Sequence, residues 1–382
     1  MRRLPAFPAA LALAACGGGS RLAPPPPLFP AGAIWRVAVA PGLDAPPVTD
    51  GTRVFVVARD GVVRALDPET GSVLWTAERQ PGVLAADAGI VVLRQPDGGV
   101  FGLNPRNGNP RWKTESRIEG ALEPAIDADA IVVAGKGIAA LSREDGHVLW
   151  SEASPAASAA PATHGPTVVV GETSGTVRAR DRATGRTLWT YLTRGPILAP
   201  ALLDDRHALV GTTDGRFLAL RLDRGKVAWR WRLGADVRSR AALLGDLVLV
   251  TSNEAVLYAL RRGNGNMVWR APLPSRPLSG PILRGSAVLV ACYDDEIVGV
   301  DGRTGTKLGS FTTPAEIQAV PLVFGDRLYV PLKDGTLIAL RLPEPAAPGP
   351  PPSPAASPSP TASPSPGAPP SPTPSPSPSA NS

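Results

Sequence analysis

Ala65-Leu66-Asp67-Pro68-Glu69-Thr70-Gly71-Ser72-Val73-Leu74-Trp75 recurs, with decay, along almost the whole of a 382-residue chain. Its copies are Asn107-Gly108 to Trp112, Asp145-Gly146 to Trp150, Thr184-Gly185 to Trp189, Arg224-Gly225 to Trp229, Asn264-Gly265 to Trp269, and Thr304-Gly305 to Leu308-Gly309. The glycines at 71, 108, 146, 185, 225, 265 and 305 step by 37, 38, 39, 40, 40 and 40 residues. That period is the length of a four-stranded propeller blade. In each copy a polar residue followed by Gly separates two apolar runs, the short-range signal for a tight hairpin. A second turn signal lies about ten residues earlier: Asp60-Gly61, Asp97-Gly98, Ser174-Gly175, Asp214-Gly215 and Asp334-Gly335, with Lys136-Gly137, Glu254-Ala255 and Asp295-Glu296 in the remaining units. Each unit therefore reads as a short strand, a strand, a hairpin, a strand, a hairpin and an outer strand ending in Trp.

The last unit fixes the number of blades. Arg327 to Leu340 supplies strands but no Thr-Gly-Trp strand, whereas Ala33-Ile34-Trp35-Arg36-Val37-Ala38-Val39 is a Trp strand with nothing before it. Pairing the two completes one blade. The fold class predicted is all-β, an eight-bladed propeller of four-stranded antiparallel blades, with the N-terminal strand joined to the last three. Closure removes the bare sheet edge that an open solenoid of hairpins, the alternative, would leave. Trp35, Trp75, Trp112, Trp150, Trp189, Trp229 and Trp269 are assigned the structural task of docking each blade on the next, the indole filling the gap and its N–H meeting a backbone carbonyl. Trp231 is off this pattern and is placed near the surface.

The two ends differ from the repeat. Met1-Arg2-Arg3, a short apolar run and Leu13-Ala14-Ala15-Cys16 resemble a bacterial export signal ending at a lipid-modified cysteine. Residues 1–15 are read as signal peptide, and residues 16–32 as lipidated Cys16 plus a Gly/Pro-rich stalk. Residues 33–342 are the propeller, and 343–382 a disordered Pro/Ser-rich tail. Gly17 in second place of the mature chain resembles lipoproteins sent to the outer membrane, so the protein is expected to face the periplasm from a lipid anchor. No later run is long and apolar enough to cross a bilayer.

The formal net charge is +6, but the arginines are scattered without aromatic interleaving, so no nucleic-acid partner is expected. No catalytic or metal constellation is found. His147, His164 and His207 fall in a hairpin turn, a loop and a strand start of different units and are read as surface imidazoles. Asp294-Asp295-Glu296 is read as a solvated turn. Cys292 is read as a buried small hydrophobe rather than a nucleophile. A monomeric, non-enzymatic protein without cofactor fits this inventory.

The pattern Ala-x-Asp-x-x-Thr-Gly-x-x-x-Trp, full at Ala65 to Trp75 and close at Ala179 to Trp189, resembles the repeat of quinoprotein propellers, which include pyrroloquinoline-quinone dehydrogenases. Those enzymes hold the quinone over calcium on the ring axis, usually near two adjacent cysteines. This chain has no such pair. Eight units with a lipobox resemble the BamB family of outer-membrane assembly lipoproteins. That resemblance implies a scaffold role, with binding to a POTRA domain of the barrel-inserting subunit through loops at one end. Tyr191-Leu192-Thr193-Arg194-Gly195 is similar to one contact segment of that family, with Tyr191 and Leu192 as apolar anchors and Arg194 as the charged hot spot. Ala235-Asp236-Val237-Arg238 is similar to a second, with Asp236 as a polar contact. Arg238 stands where the family has an acid. Two alternatives stay open: a quinone-dependent oxidoreductase, and a surface lipoprotein whose tail threads the cell-wall polymer.

Overall fold

The computed structural model describes residues 29, 32–39, 41–153 and 155–343. Cys16, the signal segment and the tail after Pro343 lie outside the described residues. What is described forms eight four-stranded antiparallel sheets. Blade one runs outward through Val48–Thr49, Val54–Val57, Val62–Leu66 and Val73–Glu78, and the pattern repeats to blade seven. Blade eight takes its inner strands from Leu322–Phe324, Arg327–Pro331 and Thr336–Arg341 and its outer strand from Gly32–Ala38. There Trp35 stands opposite Ala339 and Val37 opposite Leu337. The ring is closed, as the split Trp strand predicts.

Local chemistry explains the hairpins. In blade one the Asp67 carboxylate accepts the N–H groups of Glu69 and Thr70 and the Thr70 hydroxyl. Asp301 does the same for Arg303 and Thr304. This local alternative to strand pairing makes Asp a turn residue. The seven following glycines all adopt φ between 69° and 77°, a conformation that costs other residues energy. The earlier hairpins are less uniform. Ala255 takes φ 61° where most blades have Gly, and in blade seven Asp294, not the Asp295-Glu296 pair, takes the left-handed conformation at φ 85°.

Second strands such as Val54–Val57 and Ala130–Ala134 are buried along their whole length, because each faces a neighbouring blade on both sides. Eight apolar clusters result, one at each junction of adjacent blades.

Six indoles donate to a carbonyl three residues before the turn glycine of the next blade. The pairs are Trp35 to Pro68, Trp75 to Pro105, Trp112 to Arg143, Trp150 to Arg182, Trp189 to Leu222 and Trp229 to Arg262, at 2.8–3.1 Å. A Cβ added at Gly225 would lie 2.5 Å from the Trp189 ring, so the glycine is also what admits the indole. Across its own hairpin each Trp faces a small residue, for example Ala179 or Gly102. Trp269 differs. Its ring packs on Gly305, yet its Nε1 is buried without a partner.

Blade seven has Gly309 where the others have Trp. A tryptophan there would dock on the outer hairpin of blade eight, and that hairpin does not exist because the blade is split between the chain's two ends. Phe29 fills the place instead, buried and stacked on Phe311 at 6.2 Å between ring centroids. Sequence reading put residue 29 in the stalk, since a lone Phe carries no periodic signal.

Candidate functional site on the rim of blades four and five

The ring has two unlike ends. One carries the outer hairpins and their docking glycines. The other carries the earlier hairpins together with the interblade loops, since Thr193 N–H donates to Gly175 O and Leu233 N–H to Gly215 O. The residues singled out from sequence lie at this second end.

Tyr191 and Leu192 end the outer strand Thr187–Leu192 of blade four. Leu192 is 70% exposed, the most of any large apolar side chain among the described residues. Thr193 is buried, its hydroxyl 2.6 Å from both Gly175 O and Gly195 O, which pins the backbone where the loop begins. Gly195 is buried against Thr213 and Asp214. Arg194, between these two fixed residues, is exposed and has no hydrogen bond or ion pair among the described residues. It lines a concavity of about 390 Å³ together with Arg216, Arg230, Trp231 and Arg232.

The second predicted segment is arranged differently. Arg238 Nε lies 2.5 Å from Asp236 Oδ2, so this loop offers an internally neutralised pair rather than a free acid. Arg238 turns toward the ring axis and lines the axial cavity of about 840 Å³, whereas Arg194 lines the rim concavity. Sequence reasoning missed Arg216, Arg230 and Arg232. The run Arg230-Trp231-Arg232 was the available signal, but its meaning depends on Arg216 lying across the hairpin.

The axial cavity is walled by inner-strand residues such as Pro47, Pro161 and Pro281. Its two carboxylates are Asp87, which pairs with Arg143 at 2.7 Å, and Glu123. Glu123 stays accessible inside the cavity, but the surrounding channel wall strips water from its carboxyl and raises it above its ordinary value, with Arg240 opposing. Among the described residues no three His, Cys, Asp or Glu side chains converge. This donor set does not fit a calcium-held quinone.

The remaining sequence candidates are dispersed. His147 is exposed and 2.7 Å from Asp145. His164 ends the strand Ala162–His164 rather than lying in a loop, and meets Asp205 at 2.9 Å. His207 is buried, not a surface imidazole, with its backbone N–H donating to Asp204 Oδ1 at 2.7 Å. Cys292 is fully buried, and burial pushes its thiol up to about 11, the opposite of an activated nucleophile.

Comparison with known proteins agrees with this architecture. A family model described as outer membrane protein assembly factor BamB matches residues 31–133, 134–239 and 219–344. The BamB protein of Burkholderia pseudomallei (strain K96243) is 29% identical over 179 residues, 41% of this chain and 46% of that protein. The chain spans about half the length of the curated relatives it matches. The crystal structure of BamB from Moraxella catarrhalis superposes with a TM-score of 0.70 at 19% identity, covering 81% of this chain and 99% of that one. The quinohemoprotein alcohol dehydrogenase of Comamonas testosteroni gives 0.67 at 16% identity over 81% and 76%, so the fold alone does not separate scaffold from enzyme. The family model is spread over nearly the whole ring, and the chain belongs to the family described as outer membrane protein assembly factor BamB.

Proposed function

We propose that the protein is a non-enzymatic scaffold of outer-membrane β-barrel assembly. It is held at the outer membrane through acylated Cys16, faces the periplasm and docks a POTRA-bearing subunit on the rim of blades four and five. The observation that carries this reading is the pairing of Leu192, 70% exposed, with a partnerless Arg194 two residues on. Their backbone is held by buried Thr193 and Gly195. A rigid apolar anchor beside an uncompensated guanidinium has the composition of a binding hot spot. Family membership supports the same reading. The Asp236–Arg238 pair means that the neighbouring loop contributes shape more than charge.

In a co-purification with the POTRA-bearing subunit of the same organism, Arg194→Glu should abolish the complex and leave thermal unfolding unchanged. Retained binding would remove this loop from the interface.

A further inference from the structure

We propose that the cleft between the outer edges of blades four and five is a receptor for an acidic protein segment presenting at least two carboxylates. This rests on the scaffold reading above and extends it to the chemistry of the partner. The cleft is the concavity of about 390 Å³ lined by Arg194, Arg216, Arg230, Trp231 and Arg232.

Its charge is not a by-product of the fold. On the outer hairpin of blade five, Arg216 and Arg232 stand directly opposite each other, and Leu218 opposes Arg230. Like charges in cross-strand register destabilise a hairpin. The equivalent pair is Val62 with Glu78 in blade one, Gly99 with Glu115 in blade two, Ile138 with Glu152 in blade three and Thr176 with Leu192 in blade four. In blades six, seven and eight it is Val256 with Pro272, Glu296 with Thr312, and Ala38 with Thr336. Blade five alone puts two cations there.

The compensation at hand is one carboxylate, Asp214, 3.2 Å from Arg216 Nε. Arg194, Arg230 and Arg232 form no ion pair or side-chain hydrogen bond among the described residues. Three guanidiniums thus share one concavity without counter-charge, and a single carboxylate would leave two of them unmatched. Each planar fork fits a carboxylate through two parallel N–H donors. Trp231 belongs to the opposite face of the same strand, where it packs with the apolar cluster between blades five and six, so recognition in the cleft rests on the guanidiniums. Strand positions hold them at fixed spacing, which suits carboxylates carried on a folded protein surface.

A lipid surface suits the position less well. Arg216 follows the Asp214-Gly215 turn, so the cleft opens at the interblade-loop end. Gly32 and Arg341, paired where the described chain enters and leaves the ring, lie at the other end.

The test titrates the full-length chain with the purified POTRA-bearing subunit at several salt concentrations, for the wild type and for Arg230→Gln combined with Arg232→Gln. The double variant should bind about 100-fold more weakly, about tenfold per lost charge-assisted pair. Its affinity should also depend less steeply on salt. Its thermal midpoint should be unchanged or slightly raised, because the like-charge pair is gone. A wild type that binds and a double variant within threefold of it would overturn this inference and leave the scaffold reading standing. A wild type that fails to bind would sink the scaffold reading itself. Vesicles containing phosphatidylglycerol form a separate arm. Vesicle binding lost in the double variant, with subunit binding retained, would overturn the proposal in favour of a membrane surface.

Discussion

At the scale of single residues, the ring is held by a bond repeated from blade to blade: an indole laid on a glycine, with its N–H on the carbonyl three positions before that glycine. Trp189 makes this bond to Leu222 O at 2.8 Å, while Trp269 packs on Gly305 and bonds to nothing. Trp189→Phe should therefore cost about 1 kcal/mol more than Trp269→Phe, since both lose similar ring area but only the first orphans a buried carbonyl. Chemical denaturation of the two variants measures the difference. Equal losses would show that the indole N–H contributes little and that packing alone holds the junction. The periodic Gly and Trp could be read directly because each repeats at a nearly constant spacing. The exception at Trp269 was hidden, as nothing in its own unit departs from the pattern.

At the scale of elements, the closing strand Gly32–Ala38 pairs along its length with Thr336–Arg341, a contact some 300 residues apart in sequence. Deleting residues 32–38 would bare the edge of Thr336–Arg341 and leave Gly71 without the Trp35 ring that covers it. Such an edge is a template for another chain, so the truncated protein should self-associate, which sedimentation velocity would detect. A stable monomer would mean that the inner strands of blade eight suffice. This closure could be read from sequence because the incomplete last unit and the lone Trp strand are complementary. The cationic hairpin of blade five could not. Arg216 and Arg232 are unremarkable apart, and the cluster exists only once the register sets them opposite each other. Phe29 escaped for a related reason: its partner is the absence of a tryptophan at Gly309, which gives a sequence no pattern to match.

At the scale of the whole molecule, the axis is walled mainly by proline and small residues, with Glu123 and Arg240 among its few charges. Desolvation by the channel wall lifts the Glu123 carboxyl above its ordinary value. A group that holds its proton more tightly when folded favours the folded state at low pH. That advantage is lost as pH rises from the unfolded value through the raised folded one. Glu123→Gln should therefore gain stability relative to wild type across that window and keep the gain at neutral pH. Melting temperatures between pH 4 and 7 would show the two curves separating, and parallel curves would mean that Arg240 fully offsets the desolvation.

The split blade has a mechanical side as well. Gly32 and Arg341 are side by side, so tension between the two arms of the chain would load the hydrogen bonds of that seam singly, from one end, like a zip. Shear resistance, in which many bonds share the load, is not available to it. The fork of the zip is where Phe29 wedges against Phe311 and where Arg284 donates to the carbonyls of Leu342 and Pro343. These side chains act as the stop at the head of the slider, and a tug on the arms meets them before it reaches any strand.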